Sequence, residues 1–212
     1  MTGILFITAE RADHKAINRM LLYLRNWEYG EPDYWDDLYL MTSRDAKSIP
    51  PKPEDGICIG GTSPPVASSI TNDNAWKGAN IKDIEAFMLS ISDPDANLGY
   101  ESTLWFCVDD KGLADGTCIV AERHCDFEAE SIKFSDKWNK VRLLWGEVGL
   151  MQANLEVGNM DFVEYCEGNG PDAESWWVKS DELGEVISTE NVRKRRETIE
   201  EFERHGRALS NC

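Results

Sequence analysis

Ile4-Leu-Phe-Ile7 is the first compact apolar run in the chain, and it reads as a buried strand. Behind it, Ile17, Met20, Leu21 and Leu24 recur at the spacing of one helical face. Asp13 is placed to cap that helix and Gly30 to stop it. Leu38-Tyr-Leu-Met41 then reads as a second strand, and strand, helix, strand is how an open-sheet α/β fold begins. Residues 43–56, rich in proline and charge, predict irregular chain that leads into a short strand candidate, Ile57-Cys-Ile59. From Asn80 to Ser92, Ile81, Ile84, Met88 and Ile91 share one helical face that ends before Pro94.

The clearest strands come next. Thr103-Leu-Trp-Phe-Cys-Val108 and Thr117-Cys-Ile-Val-Ala121 are unbroken β-rich runs, which predicts central strands covered on both faces. Val141-Arg-Leu-Leu-Trp145 is a further strand candidate, and residues 168–175 form a break. From Thr189 to Arg207 the pattern is a charged helix with a thin apolar face at Val192, Ile199 and Phe202. The expected architecture is therefore α/β, an open mixed or parallel central sheet flanked by helices with a charged C-terminal helix. Residues 1–167 are expected to form a single domain, with the loop and helix of residues 168–212 packed on it.

Composition adds compartment and charge. The six cysteines (58, 107, 118, 125, 166 and 212) form no C-x-x-C pair, and three sit inside apolar runs. Free buried thiols in a reducing compartment account for that pattern better than a disulfide framework. The first ten residues lack the layout of a secretory signal, and no apolar run is long enough to span a bilayer, so a cytoplasmic protein without a membrane partner is expected. The net charge of −17 argues against indiscriminate binding to nucleic acid or anionic membrane. It leaves open a local basic site or a pocket for a cation. The stretch Glu28 to Asp37, with five carboxylates and three aromatics, reads as a solvated rim or as a cation-binding surface.

Several residues carry candidate chemistry. Gly60-Gly-Thr-Ser63 follows a strand candidate and offers backbone N–H groups and the Ser63 hydroxyl, yet it matches no nucleotide-binding loop and two prolines follow it. His14, His124 and His205 lack metal-site spacing, so neither metal nor cofactor is expected. Asp109 and Asp110 end a strand, where ligands of open α/β sheets bind. They could hold a cation or repel each other enough to raise one pKa, or they could belong to an Asp-rich turn. Asn154-Leu-Glu-Val-Gly-Asn-Met-Asp-Phe-Val-Glu164 threads polar groups among apolar ones, which predicts a specified polar cluster or the lining of a site. In it Asp161 and Glu164 could form a catalytic pair or a helix cap. Arg193-Lys194-Arg195-Arg196 could meet phosphates or pair with the glutamates of its own helix.

The run Asn154 to Tyr165 resembles the N-L-x-x-x-N-M-D-F-x-E-[FY] signature of an uncharacterised bacterial and fungal family. The order of elements over most of residues 1–167 is similar as well. Size, acidity and cysteine usage further resemble the fungal arginine-containing cyclodipeptide synthases. That resemblance implies an enzyme that joins arginine, from arginyl-tRNA, to a second aminoacyl-tRNA's amino acid as a cyclic dipeptide. The D-D-x-x-E motif of that group is split here. Asp161-Phe-Val-Glu164 follows Met160, and Asp109-Asp110 has Leu113 where the glutamate would fall. The resemblance implies Asp161 and Glu164 as catalytic and Asp109, Asp110, Asn154, Asn159 and Ser63 around the substrate. It places Arg193, Lys194, Arg195 and Arg196 on tRNA. The competing expectation is a non-catalytic acidic binding or inhibitor-type protein that masks a basic partner.

Overall fold

A computed structural model describes residues 2–28, 38–50, 60–92, 102–126, 133–166 and 187–205. Five strands form one open sheet: β1 (Gly3–Ile7), β2 (Leu38–Leu40), β3 (Leu104–Val108), β4 (Thr117–Asp126) and β5 (Lys133–Leu144). Their order is β2-β1-β3-β4-β5. β1 runs parallel to both β2 and β3, while β3, β4 and β5 alternate antiparallel, so the sheet is mixed. The helices among the described residues are α1 (His14–Leu24), α2 (Ser69–Asn72), α3 (Ile81–Ile91), α4 (Asp110–Asp115), α5 (Trp145–Glu156), α6 (Phe162–Tyr165) and α7 (Thr189–His205).

The pleat divides the core in two. Leu5, Ile7, Phe106 and Val108 point to one face, where they meet Ile17, Met20, Leu21 and Leu24 of α1 and Val148 and Met151 of α5. Ile4, Phe6, Trp105 and Cys107 point to the other, against Ile84, Met88 and Ile91 of α3 and the ring of Trp76. Both faces of β1 and β3 are thus covered, as their unbroken apolar runs require. Each fully buried aliphatic on these helices stabilises by about 1.5–3 kcal/mol relative to exposure.

Caps set the helix starts. The Asp13 carboxylate accepts the Ala16 N–H at 2.8 Å and opens α1. Asn80 and Asp83 exchange side-chain and backbone hydrogen bonds, both at 3.1 Å, and open α3. α1 ends at Leu24, ahead of Gly30, which lies outside the described residues. So do Ile57–Ile59, the break at residues 168–175, and all of the acidic rim after Glu28.

Several elements differ from the sequence expectation, among them β4, which runs on past Ala121 to Asp126. β5 begins at Lys133, well before Val141, because the polar half of a sheet-edge strand lacks an apolar run. Trp145 opens α5 instead of ending a strand. The segment between β3 and β4 is the short helix α4, closed by Gly116 at φ 72° in the left-handed region.

The C-terminal helix α7 carries three ion pairs four residues apart: Arg193–Glu197, Lys194–Glu190 and Arg196–Glu200. It meets α1, where the Arg195 guanidinium stacks 4.8 Å from the centre of the Tyr23 ring. The Glu28 carboxylate holds its start by accepting from Ser188 N–H and Asn191 Nδ2, both at 2.8 Å. Chiefly through the Ser188 bond, that carboxyl is held below its usual range. No helix among the described residues is long and apolar enough to cross a membrane.

Candidate functional site

β1 has parallel neighbours on both sides, and the helices that follow it in sequence cover opposite faces: α1 with one half of the core, α3 with the other. The chain leaving β1 enters α1 and the chain leaving β3 enters α4, and both pack on the same half of the core, so their carboxyl ends lie side by side at the end of the sheet where open α/β folds bind ligands. Thr8 and Ala9 N–H groups both bond to the Val108 carbonyl, at 3.0 and 3.2 Å, and pin the two ends together. Glu10 N–H then donates to the Asp110 carboxylate at 3.0 Å, a further tie between the two chains.

Asp109 has a different task from its neighbour. Its carboxylate takes both guanidinium nitrogens of Arg142, Nη1 at 2.8 Å and Nη2 at 2.5 Å, and also the Gly112 N–H at 2.7 Å. Arg142 Nη1 adds a bond to Thr117 Oγ1 at 3.1 Å. The Arg142 side chain is only 3% exposed. Burial pushes the Asp109 carboxyl up, but the hydrogen bonds from Arg142 and Gly112 and the charge of Arg142 outweigh it and hold the group below its usual range. Asp109 thus grips a guanidinium already, one supplied by β5. It also caps α4.

Glu10, Arg11 and Asp110 with Leu113 and Ala114 line a cavity of ≈ 450 Å³. Leu113 and Ala114 are also walls of a second cavity of ≈ 550 Å³, which reaches Arg19 and Tyr23 of α1 and Trp145 and Glu147 at the start of α5. The two compartments adjoin across α4. Carboxylates from Glu10, Asp110, Asp115 and Glu147 outnumber the guanidiniums of Arg11 and Arg19, and the Tyr23 and Trp145 rings stand 6.2 Å apart on one wall. This groove suits a ligand that is cationic at one end and needs aromatic contact along its length.

Asp161 and Glu164 sit elsewhere. The Glu164 carboxylate accepts the Asp161 N–H at 2.8 Å, which is half of a capping box on α6. Asp161 lines a third cavity with Thr103, Glu122 and Asn139. Glu122 faces Leu104 at the start of β3, whereas Asp109 follows the end of that strand, so about 15 Å of strand separates the two carboxylate pairs. The structure does not bring them together.

Asn154 and Asn159 are joined in a local network. Asn159 Nδ2 donates to Asn154 Oδ1 at 3.1 Å, and Asn154 Nδ2 donates to the Tyr165 hydroxyl at 3.0 Å. That network ties the end of α5 to α6. Ser63 Oγ donates to the neighbouring Pro64 carbonyl at 3.2 Å, on a segment whose Thr62 N–H bonds to the Leu38 carbonyl at the sheet edge. Of the basic run, Arg195 is buried against Tyr23, while Arg193, Lys194 and Arg196 pair with glutamates of α7.

Glu10, Arg11 and Arg142 escaped the sequence reading, although each left a trace. Glu10 and Arg11 come three and four residues after the end of β1, at the same end of the sheet as Asp109, which comes one residue after β3. Arg142 interrupts an apolar strand, and a charge buried there must have a partner. No three His, Cys, Asp or Glu side chains among the described residues converge to hold a metal ion.

Residues 54–174 match a family model described as a domain of unknown function, DUF6924. No curated protein and no solved structure matches the chain. The matched region runs from ahead of α2 past α6 and includes α4, β4 and β5 with the buried Asp109–Arg142 pair. It spans more than half of the chain, which accordingly belongs to the DUF6924 family.

Proposed function

We propose that the groove at the carboxyl ends of β1 and β3 takes an arginine-bearing substrate, and that the reaction is aminoacyl-tRNA-dependent formation of an arginine-containing cyclic dipeptide in the cytoplasm. The observation that carries this reading is the pair of adjoining, carboxylate-lined compartments on either side of α4. One can seat the arginine and the other the second aminoacyl group. In the reaction the α-amine of one aminoacyl group attacks the ester carbonyl of the other. A peptide bond forms, the ester C–O bond breaks, and the released tRNA hydroxyl takes up the proton. A second attack of the same kind closes the ring.

Such chemistry needs two reactants held at attacking distance, a base for the amine and no nucleotide triphosphate. Glu10 and Asp110, joined through the Glu10 N–H, are the carboxylates available for the base and for the guanidinium. In this reading Asp161 and Glu164 give up the catalytic role that their motif suggests. Asp109 acts through Arg142 to fix α4 and is a positioning residue.

The test is expression in a bacterial host followed by mass spectrometry of extracts for cyclic arginine dipeptides. Glu10→Gln and Asp110→Asn are expected to lower product at least about a hundredfold, the scale of general acid–base catalysis at its weak end, while Glu164→Ala retains it. Absence of any such product from the intact chain, with purified aminoacyl-tRNAs also unreacted, overturns the reading.

The use of Glu164 as a helix cap favours a second reading, a non-catalytic acidic protein that covers a basic partner with its −17 charge. A tight complex with a basic protein, lost at high salt and unaccompanied by any turnover, would select it.

A further inference from the structure

In a chain of net charge −17, a run of unpaired cations stands against the surrounding field. On α7 the cations are engaged: Arg193, Lys194 and Arg196 pair with glutamates and Arg195 lies against Tyr23. On α1 they are placed differently. Lys15 and Arg19 are exposed and four residues apart, so they share one helical face, about 6 Å apart along the axis. Arg11, exposed as well, stands just ahead of the Asp13 cap. None of these three forms an ion pair among the described residues. Lys15 also occupies the first turn of α1, which holds no acidic residue. The helix dipole favours anions at that end, so Lys15 is set against it, and an anion docked from outside relieves the arrangement.

The row borders the groove. Arg11 lines the cavity of Glu10 and Asp110, and Arg19 lines the cavity of Tyr23 and Trp145. An aminoacyl group seated in either compartment hangs by its ester from the 3′ end of a tRNA, whose last nucleotides are single-stranded. The phosphates of those nucleotides then lie outside the cavities, beside α1. The step from Lys15 to Arg19 is comparable with the step between successive phosphates of an extended strand. The single file matters too. Exposed carboxylates of Glu10, Asp13, Asp110 and Asp115 flank it, and a flat anionic membrane would meet those as well as the cations. A single strand can follow the cations alone.

We infer that Arg11, Lys15 and Arg19 on the α1 side of the groove bind the phosphates of the single-stranded 3′ end of tRNA. The inference rests on the reading of the groove as an aminoacyl-tRNA site, and it moves the tRNA contact from α7 to α1.

The experiment is fluorescence anisotropy of the full chain with deacylated tRNA over a salt series, which needs no turnover. Each cation neutralised on α1 is expected to lower the slope of log affinity against log salt by about 0.7, which at about 0.1 M salt is roughly a fivefold loss of affinity. Lys15→Gln tests one contact at an exposed position that lines neither cavity, and Arg11→Gln/Lys15→Gln/Arg19→Gln should lose about a hundredfold. Arg193→Gln/Arg196→Gln on α7 should bind as the wild type does. A tRNA trimmed of its single-stranded 3′ nucleotides should bind the wild type about as weakly as intact tRNA binds the triple variant. Vesicles of phosphatidylserine should not bind. No binding of tRNA by the intact chain, indifference to the α1 changes, equal binding of trimmed tRNA, or vesicle binding through the same three residues each overturns the inference. Cyclic dipeptide made by a chain whose tRNA binding ignores α1 would overturn this inference alone. Binding through α1 without any product would uphold it and overturn the proposed reaction.

Discussion

Replacing Asp109 by asparagine removes one charge from a pair whose other half cannot leave. Arg142 is 3% exposed and Asp109 about a third exposed, with the two joined by hydrogen bonds of 2.8 and 2.5 Å. Breaking a buried ion pair from one side costs about 3–5 kcal/mol. Asp109 is partly exposed to water, and the asparagine oxygen can still accept the Gly112 N–H, so the lower end applies: about 3 kcal/mol, or about 6–12 °C in Tm for a chain of this size. Arg142→Met alone leaves an unpaired but solvent-accessible carboxylate and is expected to cost less. In the double variant Asp109→Asn/Arg142→Met neither charge remains, and stability is expected to return most of the way.

The pH dependence supplies a second check. The folded-state pKa of Asp109 is depressed below its ordinary 3.8. Its contribution is therefore fully present above the unfolded value and is lost as pH falls through the folded value. The gap between wild type and Asp109→Asn should be constant from pH 7 to about pH 5 and shrink below about pH 4. Urea unfolding followed by tryptophan fluorescence, with eight tryptophans as reporters, measures all four proteins of the cycle. A loss below about 1 kcal/mol for Asp109→Asn, or a double variant as unstable as the sum of the singles, would refute the assignment of Asp109 to structure.

Alanine favours helices over glycine, yet Gly112→Ala in α4 is expected to destabilise by roughly 1–3 kcal/mol, because its Cβ would lie 2.5 Å from the Thr117 carbonyl oxygen and 3.1 Å from Arg142 Nη1. Urea unfolding reads the result. Gly149→Ala in α5 should behave alike, since its Cβ would stand 2.8 Å from Asn26 Cα, where α5 meets the chain leaving α1. Among the four described cysteines, Cys125 is partly exposed and should alkylate first at pH 8, as mapped by peptide mass spectrometry. Burial pushes the thiols of Cys107 and Cys166 up to about 12 and about 11, and it also raises that of Cys118, so these three should stay protected until unfolding. Glu164→Ala should cost about 0.5–1 kcal/mol through the lost cap on α6, a small shift in Tm without loss of fold.

What was legible in the chain followed from local pattern. α1 and α3 announced themselves because each repeats its apolar residues on one face and begins with a capping side chain that acts within three residues. β1 and β3 were legible because a strand covered on both faces has nothing polar to interrupt it. α5 was not. It buries Glu147 and Gln152 beside Val148 and Met151, and it meets the α1 end through a glycine, so polar residues and a glycine interrupt its apolar face. The partner of Asp109 was hidden for another reason: Arg142 lies 33 residues away, and only the antiparallel return of β5 brings it back.

The D-x-x-E spacing shows why a motif alone does not separate a helix cap from a carboxylate pair. Three residues is the reach at which a helix-opening residue and an N3 carboxylate exchange hydrogen bonds, and it is also the spacing that puts two carboxylates on one face. Both readings need the same letters. What separates them is the partner of each oxygen, and Glu164 spends one on the Asp161 N–H. The same holds for Asn154 and Asn159, whose amides are engaged with each other and with Tyr165. The polar specificity of this stretch thus goes largely into fastening α6 to α5, which sets Met160 and Phe162 in the wall of the third cavity. Asp109, by contrast, looked like a free ligand at a strand end and proved to be bound to Arg142. Its neighbour Asp110 is exposed, accepts the Glu10 N–H and lines the cavity with Glu10 and Arg11.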